Sequence, residues 1–387
     1  MKKIISYLCL IICAIFAISS GIGVVSADSV NDDVKINAKS YILYHPDSKK
    51  VLASYNADEK TPVASICKLM TSLIVLENIE NGTINLDDKV VASEYACMAE
   101  GSQAFLDAGS EYSIRDLLKS VIVASANDSA IVLAEAISGS EHLFVQKMND
   151  KAKELGMHNT IYENATGLFT SGQHSTAEDT IKVLEAVSEY DIYNEDCHIW
   201  MDKLVHPSGR ETELVNTNRL IRYYNHCLNG KTGYVDEAGY CLASTAMKND
   251  MKLIAVILGC DKPQDRFEES VKLYSYGFAN YKNEQVLFTN NPLGSIKVKG
   301  GKVETTQVYP TENYYAICKN GESIDVELNY EIPESIKAPL TSGAIIGRII
   351  VTQNGTVLAE IPIEIREDLK KHNYSDALDK VISKWAL

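Results

Sequence analysis

The sequence predicts an α/β domain over 28–282, a small all-β domain over 283–366 and a C-terminal amphipathic helix within 367–387, all behind an export signal at 1–27. Three observations carry this. Helically spaced apolar runs fill much of 65–188 and 266–281, and strand-like runs stand at 40–55 and 230–260. After about residue 283 the composition changes to short alternating runs around Gly and Asn turns. In 374–387, Leu378, Val381, Ile382 and Trp385 share one helical face.

The first element is the leader. Lys2 and Lys3 precede a long apolar run, and Val25 and Ala27 form a small-residue cleavage pattern before Asp28. The run is nearly long enough to span a bilayer, so a retained anchor is the other reading; the cleavage pattern favours removal. Removal takes away two lysines and no acid, so the formal charge of −15 becomes −17. An acidic exported chain has no overall field for nucleic acid. Seven of the nine cysteines lie beyond the leader, an odd number, scattered and without CxxC. They read mostly as small buried apolar residues. No HxxxH is present either, so the sequence displays no ordered metal site.

The remaining elements follow in order. "SYILYHPDSKKVLASY" (40–55) predicts two strands around His45-Pro46-Asp47-Ser48. "SICKLMTSLIVLENIENG" predicts a helix apolar on nearly every side, stopped at Gly82, and so central to the fold. Ser113 with Asp116 has capping-box character before "SIRDLLKSVIV". "ASAND" interrupts the run before "SAIVLAEAISG", and Ser140 caps a further helix ending at Gly156. Ser175 and Glu178 predict a helix from about 176 to 188. "KTGYV", "GYCLASTAM" and "KLIAVILGC" read as strands, and 266–281 returns to helix. The neutral tail, with four acids and four lysines in 367–387, reads either as a membrane-surface helix with Trp385 at the interface or as a helix packed on the β domain.

The chemistry centres on "ASICKLM" (64–70), where Ser65, Cys67 and Lys68 are all possible nucleophiles. On a helix, a residue three positions on lies about 60° away and one two positions on about 200° away. Ser65 and Lys68 can therefore share a cleft that Cys67 cannot join. A serine hydroxyl needs a base to take its proton, and a neutral lysine one turn away can serve. By itself S-x-x-K is weak. Ser125-Ala126-Asn127 adds a hydroxyl and an amide at a break between helices, and Lys231-Thr232-Gly233 adds a lysine and a hydroxyl at the opening of a strand, with a glycine that allows close backbone approach.

The ordered set S-x-x-K, S-x-N and K-T-G resembles the signature of penicillin-binding proteins and class A β-lactamases. "TPVASICKLMTSLIVLE", "SANDSAIVLAE", "ELGMHNTIYENATGL", "NTNRLI" and "DRFEESVKLYSYGF" resemble, more narrowly, the low-molecular-weight penicillin-binding proteins of the peptidase S11 family, serine-type D-alanyl-D-alanine carboxypeptidases. The resemblance is strong over 38–281 and looser beyond. It implies a β-lactamase/transpeptidase-like domain, an antiparallel sheet flanked by helices with a helical subdomain, followed by the β-sandwich-like domain and the amphipathic helix.

The resemblance also implies roles. Ser65 is the expected nucleophile, Lys68 the base and Ser125 a proton carrier. Asn127 is expected to bind a substrate amide and help position Lys68. Lys231, Thr232, Gly233 and Tyr234 are expected to line the substrate strand, with the Ser65 and Tyr234 N–H groups as oxyanion donors. Arg266 is the expected anchor of the terminal carboxylate, its other reading being an ion pair with Glu269. The implied substrate is a peptidoglycan stem pentapeptide ending in D-Ala-D-Ala, with β-lactams as covalent inhibitors, no cofactor, and a location on the extracytoplasmic face of the membrane. Three departures stand out. The middle triplet is S-A-N. Tyr234-Val235 follows the K-T-G triplet where many relatives place His or Phe and then Thr. No E-x-x-L-N loop is present. A β-lactamase and a non-catalytic peptidoglycan-binding or β-lactam-sensing protein are the alternative readings.

Overall fold

The computed structural model describes residues 34–372. The leader and the helix expected at 374–387 lie outside the described residues. The hairpin of β1 (Ser40–His45) and β2 (Lys50–Tyr55) forms as the alternation predicts. A 3-10 turn, Ala64–Cys67, leads into α1 (Lys68–Glu80), in which every residue from Lys68 to Leu76 is buried. A ribbon of β3 (Lys89–Val91) and β4 (Glu111–Ser113) brackets α2 (Glu94–Cys97). Then come α3 (Ile114–Val123), α4 (Asn127–Ser138) and α5 (Glu141–Glu154). Ser113 caps α3 and Ser140 caps α5 through side-chain oxygens that accept backbone N–H bonds. The next helix, α6 (Ala177–Val187), is capped by Thr176, which accepts from Asp179 N, and not by Ser175. Ser175 instead bonds Thr160 and pairs its backbone with Thr61.

After α7 (Asp191–Cys197), the hairpin of β5 (Met201–Val205) and β6 (Glu211–Val215), and α8 (Leu220–Tyr223), the chain enters β7 (Cys227–Val235), β8 (Gly239–Lys248) and β9 (Met251–Cys260), then α9 (Asp265–Asn280). These strands complete an antiparallel sheet in the order β2-β1-β9-β8-β7. β9 is buried on both faces. Ile254, Val256 and Leu258 join the core shared with α1, α3, α4 and α6, whereas Leu253, Ala255 and Ile257 join the core under α9. The Lys231-Thr232-Gly233 triplet does not open its strand: β7 starts at Cys227, so the triplet lies mid-strand on the sheet's edge.

The last unit holds β10 (Tyr281–Leu287), β11 (Gly294–Lys299), β12 (Thr305–Pro310), β13 (Tyr314–Lys319), β14 (Glu327–Glu331), β15 (Ser335–Lys337), β16 (Ile345–Gln353) and β17 (Thr356–Ile365). A β10–β13 ribbon packs on a sheet ordered β14-β16-β17-β12-β11-β15. One pair, β11 with β15, is parallel, and the other paired strands of this unit are antiparallel. β10 begins two residues before the composition shift, and its ribbon faces two ways. Tyr281 and Ile317 pack into the core under α9, while Leu287, Tyr314 and Ala316 pack into the β core. Residues 367–372 form no strand, but Leu369 is bridged to Leu340 and Lys371 to Gly301.

Candidate active site

Three elements converge on Ser65. The 3-10 turn winds at about three residues per turn, so Lys68 comes almost directly under Ser65, closer in register than α-helical spacing predicts. Lys68 Nζ lies 2.9 Å from Ser65 Oγ, within hydrogen-bond distance, and donates to the Thr166 carbonyl at 2.5 Å. The lysine is fully buried. Burial pushes it down to about 7, and nearby Cys67 and Asp128 pull in the opposite direction. Cys67, also buried, is pushed up to about 12 by its own burial, so it is a thiol and not a thiolate at neutral pH.

Ser125 comes from the α3–α4 junction. Its φ of 60° breaks the helical run and turns the hydroxyl inward, a left-handed conformation that costs a serine on the order of 1 kcal/mol or more. Lys231 Nζ donates to Ser125 Oγ at 2.7 Å and to Thr232 O at 3.1 Å. Burial, with Lys68 and Arg266 nearby, holds Lys231 well below the ordinary lysine range. Two buried lysines thus each hold a serine hydroxyl. Asn127 stands next to them but makes no hydrogen bond to Lys68. Its Nδ2 donates to Glu100 O at 2.5 Å, and its Oδ1 is buried without a partner, open to an amide donor. The expectation that Asn127 positions Lys68 has no bond behind it; the backbone bond Lys68 makes is to the Thr166 carbonyl.

β7 closes the other wall. A Cβ on Gly233 would stand 2.6 Å from Val63 O and 3.2 Å from Ala64 Cβ, so only glycine lets this edge strand approach the nucleophile turn. That approach sets β7 directly against the 63–66 turn. Thr232 Oγ1 donates to Thr217 Oγ1 at 2.7 Å. Arg266 NH1 donates to Gly233 O at 3.1 Å, and its guanidinium lies over the rings of Tyr240 and Phe267. It has no ion-pair partner among the described residues: Glu269 pairs with Lys272 instead, so the alternative reading of Arg266 is not realised. Its Nε is buried and unpaired, and burial lowers its pKa. A half-buried cation without a counter-charge at the edge of a cleft suits an anionic ligand. Tyr234 stacks on Tyr240 with ring centroids 4.2 Å apart and bonds Asp236 at 2.6 Å.

Sequence reasoning on the triplets missed Thr166, Gly167 and Thr217. The first two lie in "NATGL" and the third in "NTNRLI", and they act through a carbonyl, an absent side chain and one hydroxyl pair. Asp128 was also missed. Its buried carboxylate accepts the N–H groups of Ala104, Leu106 and Ser129, which fixes the loop that carries Glu100 O against Asn127.

Residues 26–262 match the profile of a family described as D-alanyl-D-alanine carboxypeptidase, and residues 281–371 that of the penicillin-binding protein 5 C-terminal domain. The chain is 37% identical to the D-alanyl-D-alanine carboxypeptidase DacF of Bacillus subtilis over 90% of both chains. It is 31% identical to DacC of Escherichia coli over 90% of this chain and 88% of that one. The crystal structure of penicillin binding protein 5 from Haemophilus influenzae superposes with a TM-score of 0.68 at 27% identity, covering 87% of this chain and 99% of the other.

Proposed function

This chain belongs to the D-alanyl-D-alanine carboxypeptidase family, and from that premise we propose that Ser65 is its nucleophile and Lys68 the base that activates it. The enzyme is a serine-type carboxypeptidase that removes the terminal D-alanine from peptidoglycan pentapeptide stems and is acylated by β-lactams. One observation carries the residue assignment: a fully buried lysine, its pKa lowered to about 7, lies 2.9 Å from the Ser65 hydroxyl with no carboxylate among the described residues paired to it.

Ser65 Oγ attacks the carbonyl carbon of the penultimate D-alanine while its proton passes to neutral Lys68. The backbone N–H groups of Ser65 and Tyr234 hold the resulting oxyanion, each donor being worth on the order of 3 kcal/mol of barrier. Collapse breaks the C–N bond; Ser125, held by Lys231, passes its proton to the departing amine and takes a replacement from the Lys68 ammonium, which returns Lys68 to its neutral form. Water then attacks the acyl-enzyme ester and returns free Ser65 and the shortened stem. Asn127 binds a backbone amide of the stem through its unpaired Oδ1. Thr232 and Arg266 hold the free terminal carboxylate in a charge-assisted bond.

Release of D-alanine from a D-Ala-D-Ala pentapeptide, with and without penicillin, tests the activity. Ser65→Ala is expected to abolish both release and covalent labelling by a fluorescent penicillin while the protein stays folded. Undiminished labelling of that variant would remove Ser65 as nucleophile. The leader supports export to the extracytoplasmic face, and the family's activity supports a part in wall maturation and, through it, cell shape. The apolar face of 374–387 supports peripheral attachment to the membrane surface, and no helix among the described residues is long and apolar enough to cross a membrane. Liposome flotation with and without 367–387 tests that attachment.

A further inference from the structure

We propose that Asn164 is a positioning residue for acylation: its side chain shapes the 164–167 turn so that the Thr166 carbonyl takes one hydrogen of the Lys68 amine and leaves the nitrogen lone pair aimed at Ser65. This rests on the reading of Lys68 as the base.

The geometry is specific. Three consecutive carbonyls of this turn receive three donors from the nucleophile helix. Asn164 O accepts from Cys67 Sγ at 3.4 Å, Ala165 O from Thr71 Oγ1 at 2.7 Å, and Thr166 O from Lys68 Nζ at 2.5 Å. Cys67 is therefore more than filler behind Ser65: it docks the helix on the same turn. Within the turn the main support is the Asn164 side chain, and Gln173 braces its ends: Oε1 accepts from Asn164 N at 3.2 Å, and Nε2 donates to Leu168 O at 3.2 Å and to Asn164 Oδ1 at 3.4 Å. Asn164 Oδ1 accepts from Gly167 N at 2.7 Å, from Thr166 Oγ1 at 3.0 Å and from Thr166 N at 3.2 Å, while Nδ2 donates to Leu168 O at 2.8 Å. From outside, Glu141 accepts Ala165 N at 2.9 Å. Gly167, with φ at +83°, lies so close to the nucleophile turn that a Cβ there would stand 2.0 Å from Ala64 O.

A neutral amine bonded to a serine hydroxyl can be donor or acceptor. As donor it is useless as a base. A carbonyl fixed at 2.5 Å engages one N–H and so restricts the rotation of the amine, and with it the direction of the lone pair. The charged or titratable groups that face Lys68 come from three places: Cys67 on its own turn, Asp128 on α4 and Lys231 on β7, with Glu141 on α5 reaching Cys67 across Ala165. None of them directs the amine through a hydrogen bond. That task falls to Thr166 O.

The test is the pre-steady-state acylation rate by penicillin as a function of pH, with thermal melts run in parallel. Asn164→Ala is expected to lower the maximal acylation rate by about 100-fold, the scale of a displaced reacting group, with penicillin affinity nearly unchanged. Asn164→Asp keeps the acceptor oxygen that serves Thr166 and Gly167, gives up the Nδ2 bond to Leu168 O and adds a charge near Lys68. It is expected to restore most of the rate at high pH, with the ascending limb moved up by about one pH unit, because a nearby carboxylate favours the ammonium form. If Asn164→Asp does not fold, Asn164→Ser offers a shorter uncharged acceptor; a rate above that of the alanine variant supports the proposal and a rate equal to it overturns it. A folded Asn164→Ala that acylates at the wild-type rate with the wild-type limb also overturns it. A wild-type protein whose acylation has no limb near neutrality would instead sink the reading of Lys68 as base.

Discussion

Lys68 and Arg266 are both basic side chains withdrawn from water, yet burial prepares them for opposite tasks. Lys68 can lose its proton near neutrality, whereas an arginine stays charged and can only wait for an anion. For Lys68 the sign follows directly. The base form predominates above a pKa of about 7, so penicillin acylation is expected to rise through that pH and to flatten above it. Lys68→Arg keeps a cation but cannot take the proton, and a loss of about 100- to 10,000-fold in acylation is expected at every pH. A stopped-flow profile with an unchanged limb in that variant would contradict the assignment. For Arg266 the readout is substrate form. Arg266→Leu is expected to cost the free-acid pentapeptide about 1.5–3 kcal/mol in kcat/KM, the worth of a bond to a charged group, and to leave the C-terminal amide of the same peptide nearly unaffected. Equal losses on acid and amide would mean that Arg266 supports the fold and not the carboxylate.

At the scale of elements, the site is a meeting of three backbones held at distances that only glycine permits. Gly167 and Gly233 press on the 63–66 turn from opposite elements. Gly167→Ala must displace Ala64 O and also adopt a left-handed φ, so a loss of acylation of about 100-fold or more is expected, with a lower melting temperature. Gly139→Ala is the matched control. It has a similar φ at the end of α4 but open space around it, so it is expected to cost only about 1–3 kcal/mol of stability, with acylation preserved. The contrast between these glycines marks what the sequence makes legible. Caps, the apolar α1, the β8 and β9 runs and the three triplets could be read because side chains carry them. The 164–167 turn could not, because its contribution to Lys68 is a main-chain carbonyl shaped by an asparagine that looks like any turn former. The β5–β6 hairpin was equally silent. Its strands have only Leu204 and Leu214 buried among exposed or half-buried residues, too little alternation to register. The break at Ser125 was visible as an interruption, but its left-handed φ was not, since nothing in S-A-N demands it.

For the whole molecule, two lysines in one core make stability depend on pH in an unusual direction. Unfolding returns Lys68 to water, where it binds a proton up to about pH 10.4, whereas in the folded protein it releases that proton near 7. Between these limits the unfolded chain holds more protons, so the stability of the folded state increases with pH across that window. As pH falls, the burden builds from the alkaline end and is complete below about 7, with a slope of up to about 1.4 kcal/mol per pH unit for one such group. Lys231, held well below the lysine range by the same burial, acts in the same direction. The bulk charge of the acidic chain opposes the trend, because added negative charge at high pH increases self-repulsion. The difference between two proteins isolates the lysine. Lys68→Met fills much the same space without a titrating group, so its denaturation midpoint in urea is expected to exceed that of the wild type most at pH 6–7 and least at pH 9–10. A gap between the two that stays constant across this range would mean that Lys68 remains protonated in the folded enzyme, and its part as the base for Ser65 would go with it.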